Sequence, residues 1–426
     1  MKKQLLLLIS PVLLAATPVG STEIPFELSN QMNYQLNYKE YSPDFQVIPT
    51  NPNVYEEVDS YLDKELTLPF EKVKPNQSFS IIGVDSNSQN QLVFQLADKS
   101  YIVADQTNIY DDIILHRTVL SEKVWLKKNF TVYSSPIANQ GKKLTLDLKP
   151  YQEVTVSEIV ETHLGFFAKI HYKGWISIND MSETDNRIEA VQDLLTTKYS
   201  SKDIAVYVKK LSTGETVGVN QDRLMYAASI TKLPTLYYAQ TKLDEEKIKL
   251  TDTVKYVKDT ENFDGAYDPE GSGSITKIPD NQQYRIDDLI NRTAKESDNV
   301  ASNLLGYYAA DKFDKRFYQE ITRIVGQKWD MVSRMASAEM AGLMMEAIYH
   351  QDGYVLESLS ATNFDNQRIA RDIDVKVAHK IGDAYDFKHD VAVVYAKEPF
   401  ILSIFTDQLS YDAISQIAND VYGILK

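Results

Sequence analysis

The sequence of 426 residues predicts an α+β protein, in which small all-β modules precede a domain of mixed strands and helices. In the first half, short alternating runs such as 79–82 and 154–159 are separated by polar turns, a pattern typical of small antiparallel barrels. Beyond about residue 185, segments with helical periodicity follow strand-like runs. The hydrophobic content of 43% provides enough apolar surface for two or three domains.

The first 21 residues have the pattern of a secretory signal peptide. Lys2 and Lys3 precede an apolar core at 5–16, which is too short and too interrupted by Pro11 to cross a membrane. We therefore expect a secreted, extracellular protein without a stable membrane span after signal cleavage, and an association with the cell wall is left open. The chain contains no cysteine, so the core must hold the fold without disulfides.

The charge of the chain narrows the choice of partners. The formal net charge is -15 at pH 7, which makes nucleic acid an unsuitable partner. The six histidines show no metal-ligand spacing, so we expect no metal site and no cofactor. Residues 22–65 combine Asn, Tyr, Pro and acidic residues without a clear period, and we predict an irregular lead-in there.

Two related blocks follow, at 66–120 and 121–183. Both contain a Leu-Thr-Leu tripeptide and a Lys-Pro pair, and Gly174-Trp175 lies near the end of the second block. The second block resembles bacterial SH3-like domains of the GW type, in which Gly-Trp ends a strand near the close of the domain. The resemblance implies two SH3-like barrels, which serve either as spacers or to bind a cell-wall polymer. Eight lysines against five acids between Lys123 and Met181 favour binding.

The second half begins with a helix, a strand and a turn into a partner strand. The apolar residues of 186–199 lie on one side of a predicted helix, and 203–209 alternates as a strand. The turn at 212–215 leads to a predicted strand at 216–219, and two further strands are predicted near the end of the chain, at 391–395 and 400–405.

A Ser-x-x-Lys motif at Ser229 and Lys232 is the strongest chemical signal in the sequence. On a helix this spacing places both side chains on one face, one turn apart, so the amine can reach the hydroxyl. A lysine whose charged form is disfavoured by burial or by a second cation can remove the serine proton. The same four letters recur at Ser274 and Lys277, but glycines before this copy and a proline after it predict a loop.

Two further motifs complete the pattern. Ser297-Asp298-Asn299 precedes a predicted helix, where the serine is either an ordinary helix cap or a capping residue whose hydroxyl relays a proton. Lys380 and Gly382 lie on a predicted edge strand, where a glycine allows a substrate backbone to approach closely. Alone, this Lys-x-Gly could also be a strand end without a role.

The order and approximate spacing of the three motifs resemble those of class A β-lactamases and the related penicillin-binding proteins. The resemblance covers residues 184–426. It implies a β-lactamase/transpeptidase-like fold, with a five-stranded antiparallel sheet, the first and last helices on one face of it, and an all-helical lobe at about 233–349. The last helix is expected at 413–425.

The resemblance also implies a role for each matching position. Ser229 would be the acylated nucleophile, Lys232 its base or proton relay, and Ser297 the proton shuttle. Substrate binding would fall to Asn299, Lys380, Gly382 and Asp383. The backbone N–H groups of Ser229 and Asp383 would form the oxyanion hole.

Two departures from the family pattern predict slow turnover. The loop at 326–335 contains no glutamate to activate the deacylating water, and Ile381 replaces a hydroxyl-bearing residue of the third motif. We therefore expect an exported active-site-serine hydrolase that acts on a β-lactam or on a cell-wall peptide or ester, with weak or no β-lactam turnover. The alternatives are a true β-lactamase and a catalytically degenerate cell-wall-binding protein.

Overall fold

The computed structural model describes residues 45–426, so the predicted signal peptide and the first part of the lead-in lie outside the described residues. The chain divides into two compact units. The first contains the residues up to Lys123 together with 130–147 and 154–181, and the second contains 124–129, 148–153 and 182–426. The sequence boundary between 183 and 184 thus lies two residues beyond the main division, and two short segments of the second predicted barrel belong to the second unit.

The N-terminal part is all β. The strands between residues 45 and 182 are β1 (Pro52–Val54), β2 (Val58–Tyr61), β3 (Pro69–Val73), β4 (Ile81–Ser86), β5 (Leu92–Leu96), β6 (Tyr101–Val103), β7 (Ile109–Asp111), β8 (His116–Leu126), β9 (Val132–Tyr133), β10 (Lys143–Leu144), β11 (Glu153–Thr162), β12 (Gly165–Ile170), β13 (Gly174–Ser177) and β14 (Met181–Ser182). Two main sheets have the strand orders β3-β2-β6-β5-β4 and β10-β9-β13-β12-β11-β8-β14, and β1 pairs with β7.

Several details of this part differ from the sequence prediction. The lead-in is not irregular throughout, because β1 and β2 lie before residue 65 and β2 pairs with both β3 and β6. Their short mixed sequences have no alternation long enough to predict a strand. The boundary between 120 and 121 falls inside β8, and Gly174 begins β13 rather than ending a strand.

The second unit contains the helices. They are α1 (Arg187–Lys198), α2 (Lys232–Asp244), α3 (Ile286–Lys295), α4 (Asn299–Tyr308), α5 (Lys315–Val325), α6 (Ala338–Gln351), α7 (Tyr354–Leu359) and α8 (Tyr411–Leu425). The strands that accompany them are β15 (Ile204–Lys210), β16 (Thr216–Val219), β17 (Met225–Tyr226), β18 (Thr253–Lys255), β19 (Gln283–Arg285), β20 (Met335–Ala336), β21 (Val377–Ala384), β22 (Phe387–Val394) and β23 (Phe400–Asp407).

The five-stranded antiparallel sheet is confirmed. Its order is β16-β15-β23-β22-β21, which places the Lys380 strand β21 at an edge. Helices α1 and α8 pack on one face through a shared core that includes Val191, Leu195, Ile414 and Val421. Burying each such side chain stabilises the fold by about 1.5–3 kcal/mol before entropy is counted. The strands β22 and β23 are buried along most of their length because helices cover both faces of the sheet.

The predicted helical lobe is also present, with two short ladders added to it, β17 with β20 and β18 with β19. Helix α2 is its central element, since the first nine residues of the helix are all buried. Pro234 lies in the first turn of α2, where its missing N–H costs no intrahelical hydrogen bond. Among residues 45–426, no helix is long and apolar enough to cross a membrane.

Candidate active site

Ser229 lies in a short 3-10 turn, Ala228–Thr231, and Lys232 begins α2 directly after it. Ala228 has a positive φ of 50°, an uncommon backbone conformation for a residue with a Cβ atom. The Nζ atom of Lys232 lies 2.9 Å from the Oγ atom of Ser229. Lys232 is wholly buried, whereas Ser229 is partly exposed. The predicted contact between the amine and the hydroxyl is therefore present, and the hydroxyl can be reached from solvent.

Two carbonyl oxygens orient the amine of Lys232. It donates to the backbone oxygen of Ser297 at 2.6 Å and to Oδ1 of Asn299 at 2.7 Å. The amide nitrogen of Asn299 donates to the backbone oxygen of Asp268 at 2.8 Å, which fixes the orientation of the Asn299 amide. A neutral amine has two N–H bonds and one lone pair. With both N–H bonds directed at acceptors that cannot donate, a neutral Lys232 keeps its lone pair for a hydroxyl, and Ser229 Oγ at 2.9 Å is nearer than Ser297 Oγ at 3.3 Å.

The surroundings favour this neutral form. Burial, and then the neighbouring Lys380 cation, lower the pKa of Lys232 well below its ordinary value. Arg334 contributes in the same direction, and Asp298 opposes it. Lys380 is also buried, and burial lowers its pKa to about 7.

Ser297 connects the two lysines. Its Oγ atom accepts from Lys380 Nζ at 2.8 Å and lies 3.3 Å from Lys232 Nζ. The prediction that Ser297 caps the following helix is wrong, because Asp298 is the capping residue and accepts from the N–H of Ala301 at 2.9 Å. Ser297 precedes the cap with a positive φ of 56°, and this turn leaves its hydroxyl between the two amines.

Gly382 explains how the strand β21 approaches the nucleophile. A Cβ atom at this position would lie 2.6 Å from the backbone oxygen of Ala227 and 2.8 Å from a side-chain carbon of Ile230. Any larger residue would therefore push the edge strand away from the turn that contains Ser229. Ile381 is buried, and Asp383 follows at the exposed end of the strand. The oxyanion-hole role of the Ser229 and Asp383 N–H groups stays a prediction.

Tyr267 and Arg334 also belong to the site, and the sequence analysis missed both. The Tyr267 ring has Lys232 Nζ 4.5 Å from its centroid, with the Arg334 guanidinium at 4.2 Å, and its hydroxyl donates to the backbone oxygen of Ala228 at 3.3 Å. Burial raises the pKa of the Tyr267 hydroxyl, which keeps it protonated. Tyr267 lies in a long polar segment without periodicity, so the only sequence signal was an aromatic residue before Asp-Pro.

No carboxylate of residues 45–426 hydrogen-bonds Ser229 or Lys232. The loop between α5 and β20 contains one acid, Asp330, which accepts from the N–H of Val332 at 2.9 Å within its own turn. Glu339 lies at the start of α6, where its N–H donates to the backbone oxygen of Gln221. The described residues also contain no group of three or more His, Asp or Glu side chains that could hold a metal ion.

Comparison with known proteins agrees with this architecture. The model of the beta-lactamase enzyme family matches residues 186–425, which is more than half of the chain. The protein therefore belongs to the beta-lactamase enzyme family. The match does not extend to the N-terminal part, whose likeness to SH3-like domains stays a prediction.

Solved structures similar to this chain include penicillin-binding proteins and β-lactamases. PBP-A is 17% identical with a TM-score of 0.46, over 56% of this chain and 94% of its own. A β-lactamase from Sphaerobacter thermophilus DSM 20745 is 20% identical with a TM-score of 0.44, over 56% and 95%. A β-lactamase from Francisella tularensis is 16% identical with a TM-score of 0.44, over 56% and 98%. No curated protein matches the chain.

Proposed function

We propose that the protein is an exported serine hydrolase that forms an acyl-enzyme on Ser229 and acts on a β-lactam or on a cell-wall peptide or ester. One observation carries the proposal. The amine of Lys232 is buried, is held by two carbonyl acceptors, and lies 2.9 Å from the Ser229 hydroxyl. A lysine of lowered pKa beside a serine is the arrangement that makes the hydroxyl nucleophilic.

Acylation follows from these contacts. Lys232 takes the proton of Ser229 as Oγ attacks the substrate carbonyl, and the N–H groups of Ser229 and Asp383 receive the developing oxyanion. Ser297, between Lys232 and Lys380, passes a proton to the leaving nitrogen or oxygen as its bond to the carbonyl carbon breaks. The product of this step is an ester on Ser229, which water must hydrolyse to release the acyl group.

Deacylation is the slow step of the proposed reaction. Release of the acyl group requires a positioned base for the water, and no carboxylate of the described chain contacts Ser229 or Lys232. The ring of Tyr267 covers one side of the Lys232 amine. The loss of a general base typically slows a step by ~10²–10⁴-fold. Penicillins should therefore load the serine and remain attached.

Labelling tests the proposal. The full-length chain is incubated with a fluorescent penicillin and, separately, with a fluorophosphonate, and the labelled protein is digested for peptide mapping. We expect an adduct on the peptide that contains Ser229. If neither probe forms an adduct on a folded protein, the serine hydrolase proposal fails and the alternative of a wall-binding protein without catalysis is favoured.

We further propose that the N-terminal β modules hold the enzyme at the cell wall. The segment from Lys123 to Met181 carries eight lysines and five acids in an otherwise acidic chain, and Lys169 lies over the Trp175 ring at 5.4 Å. Sedimentation of the full-length protein with purified cell walls at low and high salt tests this. Binding that weakens with salt is expected, and a protein that stays in the supernatant at low salt would assign the modules a spacer role.

A further inference from the structure

Asp383 carries a carboxylate at the exposed end of the motif strand. The residue directly follows Gly382, whose backbone is pressed against the turn of Ser229. About a third of the Asp383 side chain, 34%, is exposed. Its Oδ2 atom accepts from Arg368 Nη2 at 2.5 Å and also from the hydroxyl of Tyr411 at the start of α8. A substrate that lies along the open edge of β21 passes this negative charge.

Arg368, which pairs with Asp383, is buried and already has several partners within the protein. Its side chain is 1% exposed, the Tyr411 ring lies 3.9 Å from the guanidinium carbon, and Nη1 donates to Gln367 at 2.8 Å. The Nε atom of Arg368 has no hydrogen-bond partner among residues 45–426, but because the side chain is 1% exposed, a carboxylate from solvent can reach the guanidinium only if Asp383 moves. The carboxylate that pairs with Arg368 is therefore the side chain of Asp383 on β21.

Two other residues of β21, Lys380 and Ile381, do not restore an anion site. The amine of Lys380 is buried and donates to Ser297 Oγ at 2.8 Å and to the backbone oxygen of Ile381 at 3.0 Å. Burial lowers the pKa of Lys380 to about 7, which disfavours its charged form. Ile381 itself has no hydrogen-bonding group in its side chain.

We propose that the natural acyl donor has no free carboxylate next to Asp383, and that this part of the substrate is an amide, an ester or another uncharged group. The inference rests on the proposed acyl transfer by Ser229 and defines the class of its substrate. An anion placed beside Asp383 meets a like charge at short range in a partly desolvated site. A neutral group of the same shape meets no such repulsion and can accept or donate a hydrogen bond.

A matched pair of donors tests the proposal. Benzylpenicillin and its methyl ester differ only in the carboxylate, and intact-protein mass spectrometry gives the rate of Ser229 acylation by each. The informative quantity is the ratio of the ester rate to the acid rate, measured for the full-length wild type and for Asp383→Asn. Asp386→Asn is the matched control, because it removes one negative charge from the exposed turn of the same hairpin without touching Arg368.

We expect the ratio to fall about tenfold in Asp383→Asn and to change less than about twofold in Asp386→Asn. An unchanged ratio in Asp383→Asn, or an equal fall in both variants, would overturn the inference. If neither donor acylates the wild type, the fluorophosphonate labelling described above decides the proposed function, and binding of the same pair to Ser229→Ala, followed by NMR, decides the inference. In that assay, the inference is supported if Ser229→Ala/Asp383→Asn binds benzylpenicillin more tightly than Ser229→Ala does. Equal affinities for benzylpenicillin in the two proteins contradict the inference. Thermal unfolding verifies that each variant is folded.

Discussion

The chain contains the same four residue types twice, Ser-Ile-Thr-Lys at 229–232 and at 274–277, and within the described residues only the first copy has a hydrogen bond between its lysine and its serine. In the first copy, the lysine begins a buried helix and its amine contacts the serine. In the second copy, Lys277 donates to the backbone oxygens of Gly271 and Gly273, and Ser274 contacts Glu296 and Arg292. Each group of the second copy has its own partner.

The difference shows that the surroundings of the motif, and not its four residues alone, decide whether the lysine can act as a base. Lys232 is wholly buried, near a second buried lysine, and faces carbonyl acceptors that orient its lone pair. Ser274 is exposed in a loop and Lys277 is partly exposed beside it. A lysine in water stays protonated near neutral pH and cannot act as a base. Burial and a neighbouring cation are therefore the features that distinguish the proposed catalytic copy from the copy in the loop.

The largest contrast is expected between alanine variants of the two serines. Ser229→Ala should lose all labelling by a fluorescent penicillin, because the nucleophile is gone. Ser274→Ala should label at close to the wild-type rate, since its hydroxyl bonds only Glu296 and Arg292. Gel fluorescence over time measures both. Residual labelling of Ser229→Ala, lost in Ser274→Ala, would reverse the assignment of the two copies.

The second largest contrast is expected between the acylation rates of alanine variants of Lys232 and Lys277. Lys232→Ala removes the base, and we expect acylation to slow by ~10²–10⁴-fold. Lys277→Ala should change the rate by no more than about twofold, because Lys277 makes no hydrogen bond to Ser229 or Lys232 and lowers the pKa of Lys232 less than Lys380 does. Stopped-flow or mass-spectrometric acylation rates check both, with circular dichroism as the control for folding. An unchanged rate in Lys232→Ala would exclude the Ser/Lys mechanism.

The lifetime of the acyl-enzyme gives a third test. We expect a penicilloyl adduct on Ser229 that accumulates and persists, because the loop at 326–335 contains no glutamate and no carboxylate of the described chain hydrogen-bonds Ser229 or Lys232. A time course by intact-protein mass spectrometry, together with nitrocefin hydrolysis, measures it. Rapid multiple turnover without a lasting adduct would instead indicate an undetected base, and Glu339 and Glu296 would be the first residues to replace.

A smaller effect concerns the pH dependence of acylation. The rate should rise with pH as Lys232 loses its proton, and the midpoint should lie well below 10.5 because burial and Lys380 lower the pKa of Lys232. Lys380→Met removes the second cation, so the midpoint should move to higher pH. The acylation rate is measured from pH 5 to 10 in both proteins. A midpoint that stays in place, or moves down, would contradict the electrostatic role of Lys380.

The smallest effect is on stability. Folding keeps Lys232 neutral over a pH range in which the unfolded chain, with an ordinary lysine pKa of 10.5, is protonated. Protons are then taken up on unfolding, so the stability of the wild type should rise toward pH 10.5 relative to Lys232→Met, by at most about 1.4 kcal/mol per pH unit. Urea unfolding at several pH values checks this, and parallel curves for Lys232→Met and wild type would argue against a neutral Lys232.

The sequence predicted the parts of the site that depend on regular spacing. Ser229 and Lys232 lie one turn apart on the chain, and Gly382 is required by close packing on an edge strand, so both follow from local geometry. Tyr267 and Arg334 lie in segments without periodicity, and only the folded chain brings them to the Lys232 amine. The capping role of Asp298 was assigned to its neighbour because the two residue types cap helices equally well.

The same limit applies to the fold. The five-stranded sheet and its two covering helices could be predicted, since long alternating and periodic segments encode them. The strands β1 and β2 could not, because three or four residues give no measurable period and their pairing depends on partners elsewhere in the sheet. The protein's acidic net charge likewise gave no indication of where individual charges lie, such as the carboxylate of Asp383.

The burial of Lys232 in α2 also bears on whether this chain has lost its activity. The amines of Lys232 and Lys380 are both buried, and losing their protons on folding costs free energy. An apolar residue of similar volume at either position would avoid that cost. The proposed hydrolase gives both lysines a function at Ser229 and Ser297, whereas a fold used only for wall binding gives them none.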